Sequence, residues 1–386
     1  MALLATAHLA DDVNQSFIPA LLPYLIVWRG LSHTEAGLLV LAQAISSSVV
    51  QPAIGHLADR RSMPWLIAVG LMLAGGGVAA VGFMPTLPLM LAGALVSGFG
   101  VAAFHPEAAR FANYVAGAKK ASGIRWFAAG GNVGFAIGPL FATAAIAAWG
   151  LPGTLAAAAP VTLVGAIVLV EMRRLRAFIP AHATSRTGQG TDDWPAFSKL
   201  AAFVTVRAMA YFGFIAFVPL YVVEVLHGTP AVGDALLTAF LGAGVAGTLS
   251  GGPIADRFGR RTVMVWSTAL AALMTVLLVA FTHNGNLLLA IPLLIVTGFV
   301  FVASQSAFIV LGQEYLPNRM GLASGVTLGL AVSLGGAFAP AMGAIADAFG
   351  VTATILTAGG LSVLAALISL TLPGERRGIA ARAAAS

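Results

Sequence analysis

Cysteine is missing altogether from this chain of 386 residues, which excludes disulfide staples, thiolate metal sites and cysteine nucleophiles. Charge is nearly as scarce. Asp, Glu, Lys and Arg together make up 9% of the sequence, against roughly 25% in an ordinary soluble domain. So few charges cannot cover a water-exposed surface of this size, and soluble classes are excluded. Neither G-x-x-x-x-G-K-[ST] nor H-E-x-x-H occurs, which removes direct ATP-driven pumping on this chain and zinc-peptidase chemistry. No stretch is left over for an enzyme domain, and neither a cofactor nor a metal is expected. The excess of 20 Lys and Arg over 14 Asp and Glu speaks first of membrane orientation, not of a nucleic-acid partner.

What the chain does have is apolar length. Hydrophobic residues make up 59%, and 45 glycines accompany them, as suits closely approaching helices in lipid. A spanning helix needs about 20 predominantly apolar residues. Twelve such stretches can be placed, near 3–28, 34–57, 64–84, 87–114, 122–149, 152–172, 199–226, 232–255, 262–283, 286–314, 320–347 and 351–372. The first carries His8, Asp11, Asp12, Asn14 and Gln15, too polar for a secretory signal. With the N-terminus inside, 16 of the 20 cations fall on the cytoplasmic side, only Arg29 opposite, and Arg110, Arg125 and Arg207 within spans. Both termini are therefore expected in the cytoplasm of a plasma (inner) membrane protein. A polar interval at 173–197 separates a first six-span unit, 1–172, from a second, 198–374, with a cytoplasmic tail at 375–386.

The two units repeat. GHLADRR at 55–61 returns as GPIADRFGRR at 252–261, so Asp59 and Asp256 stand 197 residues apart, as do Phe17 and Phe214. Pro139 and Pro340 echo each other 201 residues apart. Three ordered echoes point to an all-α membrane protein of twelve helices in two six-helix bundles, the architecture of parallel-repeat transporters.

The loop G-x-x-A-D-R-x-G-R-R after the second span of each half resembles the signature of the major facilitator superfamily. Its candidate latch residues are Gly55, Asp59 and Arg60 in one copy and Gly252, Asp256, Arg257 and Arg260 in the other. The glycines are expected to permit close packing, and the acids to meet a helix N-terminus or an arginine when the cytoplasmic ends close. GGNVGFAIGPL at 130–140, with Gly134, Gly138 and Pro139, resembles the antiporter motif of drug–proton exchangers. His8 with Asp12, Gln15 and Ser16, then QPAIGHLAD, FHPEAAR at 104–110 and GGNVG with Asn132, is similar to the fosmidomycin-resistance branch. The resemblance implies a central cavity lined by spans one, four, seven and ten. It also implies polar contacts to substrate from Gln15 and Asn132.

A charge in the bilayer core needs a partner or a purpose. His8 and Asp12 share a helical face, as do Glu107 and Arg110. Asp12 and Glu107 are the expected proton carriers, assisted by His8, Asp11 and His105. Arg110, Arg207 and Arg125 are the expected anion-binding residues, Arg207 standing by pseudo-symmetry at the depth of Asp11. Glu224 and Glu314 are expected to bear on solvent, and His33, His227 and His283 to be loop histidines. The functional expectation is a monomeric proton-coupled efflux transporter of a small drug-like or anionic molecule such as a phosphonate. Its partners are then protons, substrate and the lipid bilayer, with no nucleic acid. Proton-coupled uptake of an organic anion and a non-transporting receptor are the alternatives.

Overall fold

A computed structural model describes residues 1–60, 63–116, 120–178, 191–282, 284–319, 322–323 and 325–373, and among them there are helices and no strand. His283, the tail at 375–386 and the middle of the 173–197 interval lie outside the described residues. Of Gly55, Asp59 and Arg60 only the helical backbone is described.

The first half consists of α1 (Ala2–Arg29), α2 (His33–Arg60), α3 (Trp65–Val81), α4 (Leu87–Ala116), α5 (Lys120–Trp149) and α6 (Ala158–Val170), with α7 (Met172–Arg176) leading into the interval. A 3₁₀ turn, Leu151–Ala157, extends α6 to membrane-spanning length. The second half consists of α8 (Trp194–Glu224), α9 (Pro230–Phe258), α10 (Arg260–Thr282), α11 (Leu287–Ala303) and α12 (Gln305–Tyr315), then α13 (Ala331–Ala337), α14 (Ala339–Phe349) and α15 (Val351–Leu370). Spans ten and eleven are composite. α11 and α12 form one interrupted span, and a π turn at Gly325–Leu330 followed by α13 and α14 forms the next. The twelve-span count of the sequence is thus the fold.

Local chemistry starts these helices where the sequence has short polar side chains. Asp193 accepts the N–H of Ala196 ahead of α8, Thr229 that of Val232 ahead of α9, and Asn286 that of Leu289 ahead of α11. Each supplies one of the donors' partners that a helix N-terminus lacks. Pro195 and Pro230 sit in first turns, where a missing N–H costs nothing.

Packing divides along the membrane normal. One core holds residues of both halves together, including Phe17, Leu21 and Leu25 of α1, Phe214, Phe217 and Tyr221 of α8, and Met342 of α14. Toward the opposite end this core forks. Leu4, Ala7, Leu71, Phe104 and Phe111 form a core of the first half alone, and Leu200, Phe203, Met264 and Phe308 one of the second half alone. The shared core lies at the end carrying His33, the separate cores at the cation-rich end. Small residues tighten the shared end, where a Cβ on Gly37 of α2 would fall 2.6 Å from the carbonyl oxygen of Ala339.

Candidate functional site

The charges buried in the first half gather where the shared core forks. On α1, Ala10 belongs to the first-half core and Phe17 to the shared one, and between and beside them stand His8, Asp11 and Asp12. His8 Nε2 lies 3.3 Å from Asp12 Oδ2. His105 of α4 reaches both acids, with Nε2 3.5 Å from Asp12 Oδ1 and Nδ1 3.5 Å from Asp11 Oδ2. Gln15 donates to Asp12 Oδ1. Backbone carbonyls orient the rings: that of Phe127 lies 2.9 Å from His8 Nδ1 and that of Val101 3.1 Å from His105 Nδ1. His8 also stacks on the Phe127 ring at 4.2 Å between centroids. Each carbonyl accepts an Nδ1–H, leaving Nε2 directed at Asp12. Asp11 is fully buried, and neither of its carboxylate oxygens has a hydrogen-bond partner. The ligating atoms of His8, Asp12 and His105 lie within 4.8 Å of one another, a donor set a divalent ion could use; here the imidazoles and the carboxylate face one another directly.

The glycines of the antiporter-like motif explain how α5 reaches this cluster. A Cβ on Gly134 would sit 2.2 Å from the carbonyl oxygen of Leu9, and one on Gly138 2.0 Å from Ser16 Oγ. One on Gly131 would sit 2.5 Å from Asp12 Oδ2 and from His8 Nε2. The motif is a seam between α1 and α5. Pro139 is buried beside it, and Asn132 is half-buried on the same helix.

Glu107 and Arg110 form a different kind of pair. Arg110 donates to Glu107 Oε1 at 2.7 Å, and the same oxygen accepts the backbone N–H of Met63 at 2.7 Å. Glu107 is fully buried. Its carboxylate therefore ties α4 to the connection between α2 and α3, and its contacts are permanent donors rather than titratable rings. Arg125 is exposed near the start of α5 and has no ion pair among the described residues.

Arg207, on α8 at the corresponding fork, is 6% exposed and has no carboxylate partner among the described residues. One terminal nitrogen donates to the Phe301 carbonyl at 2.8 Å, while Nε has no partner. The guanidinium lies 5.0 Å from the centroid of Phe301, 5.2 Å from Phe308 and 5.8 Å from Tyr211. Aromatic faces stabilise a cation without neutralising it. Residual positive charge remains available to an anion.

At the cation-rich end, Asp256 and Arg257 are exposed, and Arg260 pairs with Glu314 at 2.6 Å within the second half. Glu314 is therefore engaged by a cation, not merely solvated. The close approach assigned to Gly252 belongs to its neighbour: a Cβ on Gly251 would fall 2.0 Å from the Ala303 carbonyl oxygen, whereas one on Gly252 would meet only Ser306 Oγ at 3.8 Å. One residue turns the helix by about 100°, and sequence spacing cannot resolve which glycine faces α11.

Among the described residues, every hydrogen bond between the halves lies at the other end. His33 Nε2 is 2.8 Å from Glu224, and its Nδ1 is 2.8 Å from Asp347. Asp347 also accepts the backbone N–H groups of His33 and Thr34, each at 2.9 Å. Thr143 donates to Asp234 at 2.5 Å. His33 is thus the first residue of α2 and a bridge, not a loop histidine, and Glu224 is its partner. Nothing in the local sequence announces this, since the partners lie 191 and 314 residues away.

The comparisons with known proteins agree with this architecture. The model of the Major Facilitator Superfamily matches residues 4–340. The uncharacterised MFS-type transporter YfnC of Bacillus subtilis is 30% identical over 98% of this chain and 93% of its own. The fosmidomycin resistance protein of Escherichia coli is 29% identical over 89% of this chain and 85% of its own. Among solved structures, a bacterial homologue of the human lysosomal transporter Spinster, described as inward-facing and occupied, superposes with a TM-score of 0.81 at 16% identity, covering 96% and 95% of the two chains. The nucleoside transporter NupG superposes with a TM-score of 0.78 at 16% identity over 96% and 98%. A duplicated six-helix unit, a core shared at one end and forked at the other, and buried charges at the fork are thereby joined to a family match over most of the length: this chain is an integral membrane transporter of the major facilitator superfamily, not an enzyme.

Proposed function

We propose that the protein exports a small drug-like or anionic molecule in exchange for protons, by alternating access. The observation that carries this reading is the placement of two unlike charge sites at the fork, the imidazole–carboxylate cluster around Asp12, and Arg207, which pairs with no carboxylate among the described residues. Residues at a fork become reachable from one side or the other as the halves rock, which is the requirement for alternating access. The cation-rich end is assigned to the cytoplasm by the positive-inside rule. On that assignment the forked end faces the cytoplasm, and Asp59, Asp256 and their arginines hold the cytoplasmic ends together when the transporter faces outward. The fosmidomycin resistance protein of Escherichia coli and the Multidrug resistance protein 1 of Bacillus subtilis, 25% identical over 81% of this chain, support the export direction.

Antiport needs proton and substrate occupancies that oppose each other. Arg207 takes the anionic group, while ionised Asp12, with Gln15 and Asn132 nearby in sequence register, accepts a hydrogen-bond donor of the substrate. A proton on Asp12 removes that acceptor and releases the substrate. His8, His105 and Asp11 pass the proton along the cluster, and Glu107 with Arg110 holds α4 in place.

The test is flux in proteoliposomes under an imposed pH gradient, with fosmidomycin and a panel of diverse drugs as probes. Accumulation of a probe on the more acidic side supports antiport; accumulation on the other side assigns proton-coupled uptake. Asp12→Asn should abolish gradient-driven movement while binding remains measurable. Normal uphill transport by Asp12→Asn would overturn the proton assignment.

A further inference from the structure

His33 closes the rim opposite the latch loops, and its two ring nitrogens serve two different helices. Nε2 faces Glu224 at the end of α8, and Nδ1 faces Asp347 near the end of α14, both at 2.8 Å. A neutral imidazole carries one N–H and one lone pair, so it can donate to only one of two carboxylates. Only the imidazolium satisfies both. The two acids are held unequally. Asp347 takes three further hydrogen bonds from the first turn of α2, from the backbone of His33 and Thr34 and from Thr34 Oγ1. Glu224 has His33 alone among the described contacts.

Other charged groups near this rim are already engaged. Glu35, on the same turn, accepts the N–H of Ser32. Arg29 of α1 donates to the Gly82 carbonyl, and Asp234 of α9 holds Thr143. The His33 side chain is 18% exposed and those of its partners 35% and 32%, so protons from the adjoining solution reach all three.

We infer that His33 is a second proton-binding site, outside the central cluster, whose imidazolium clamps the outer rim and whose deprotonation frees the Glu224 arm first. The inference uses the orientation proposed above but not the role given to Asp12. Hydrogen bonding to Glu224, and then to Asp347, raises the His33 pKa above its ordinary 6.5 against the opposing effect of burial. The sign follows. The clamp is fully present below the ordinary histidine pKa and is lost as external pH rises through the raised value of the closed state. Acid outside then both offers protons for exchange and holds the outer rim shut.

The chain contains no cysteine, so a labelled pair reports without background. Phe83 and Leu288 are exposed residues of the two halves at this end, and spin labels at Phe83→Cys and Leu288→Cys measure rim opening in nanodiscs. The short-distance population should dominate at about pH 5.5 and give way to a longer one at about pH 8.5, either side of a raised histidine. Each unit by which closure raises the His33 pKa corresponds to about a ten-fold change in the closed-to-open ratio. His33→Gln should abolish the pH response. Glu224→Gln should keep the rim closed at both pH values, because its amide donates to a neutral Nε2 and its carbonyl accepts from an imidazolium. That gain of closure keeps the test decisive even if His33→Gln folds poorly. A pH response unchanged in Glu224→Gln, or one removed by Asp12→Asn instead, would overturn the assignment. The role of Asp12 is read from flux and the role of His33 from distance, so either can fail alone.

Discussion

The α1–α5 seam makes a quantitative prediction about glycine. At Gly134 an added Cβ would lie 2.2 Å from the Leu9 carbonyl oxygen and 2.8 Å from two further backbone atoms of the same residue. Backbone on both sides cannot swing aside, so α5 must retreat by about 1.2 Å for the closest contact to reach the 3.4 Å of ordinary packing. Overpacking of this kind costs about 1–3 kcal/mol, offset by about 1 kcal/mol of helix propensity that alanine gains over glycine. Gly242 of α9 supplies the control: it is exposed, with nothing within 4 Å of an added Cβ, so Gly242→Ala should stabilise by about 0.5–1 kcal/mol. Thermal unfolding in one detergent should therefore place Gly134→Ala below wild type and Gly242→Ala at or above it. The retreat of α5 also draws the Phe127 carbonyl from His8, so Gly134→Ala should lose transport out of proportion to its loss of stability. Equal melting of the two variants, with full transport by Gly134→Ala, would refute the seam.

Three further outcomes follow from the buried charges. Arg207→Met removes a buried cation that has no carboxylate partner among the described residues, so stability should be unchanged or raised, while titration with an anionic probe should show weakened binding. Glu107→Gln breaks a buried pair and should destabilise by about 3–5 kcal/mol, visible as a lower melting temperature; a variant of normal stability that has lost only gradient-driven flux would instead make Glu107 a proton carrier. Glu314→Ala breaks a half-exposed pair with Arg260 and should cost no more than about 1 kcal/mol in the same melting assay.

Much of this molecule is legible in the sequence because membranes restrict the choices. Apolar length gives the spans, and a 197-residue echo between Asp59 and Asp256 gives the two bundles. The i,i+4 spacing of His8 and Asp12 gives their contact, because that relation is local to one helix. Relations between helices are less legible. His105 joins the cluster from another helix, 93 residues beyond Asp12, at distances that only packing sets. His33, Glu224 and Asp347 are each unremarkable at a span end, and their meeting depends on how two halves dock. Gly251 and Gly252 show the same limit on a finer scale, since rotation about α9 decides which one is crowded. Span eleven reads as continuous, yet the π turn and the breaks around Ala331 and Phe338 divide it. Gly335, Gly336 and Pro340 in that stretch let it change course without closing a regular ladder.

The core common to both halves has a consequence for how the protein is made. Phe17, Leu21 and Leu25 emerge early in synthesis, but their cover includes Phe214, Phe217 and Met342, which arrive only with the second half. Leu71, Phe104 and Phe111 wait for no such partner. A nascent first half can therefore complete one end of its bundle while the other remains an open apolar face in the bilayer. The repeat units are copies in sequence, but neither is a finished folding unit. Severed within the 173–197 interval, the two pieces should assemble when produced together, and each alone should present an unmatched face to the lipid and to chaperones.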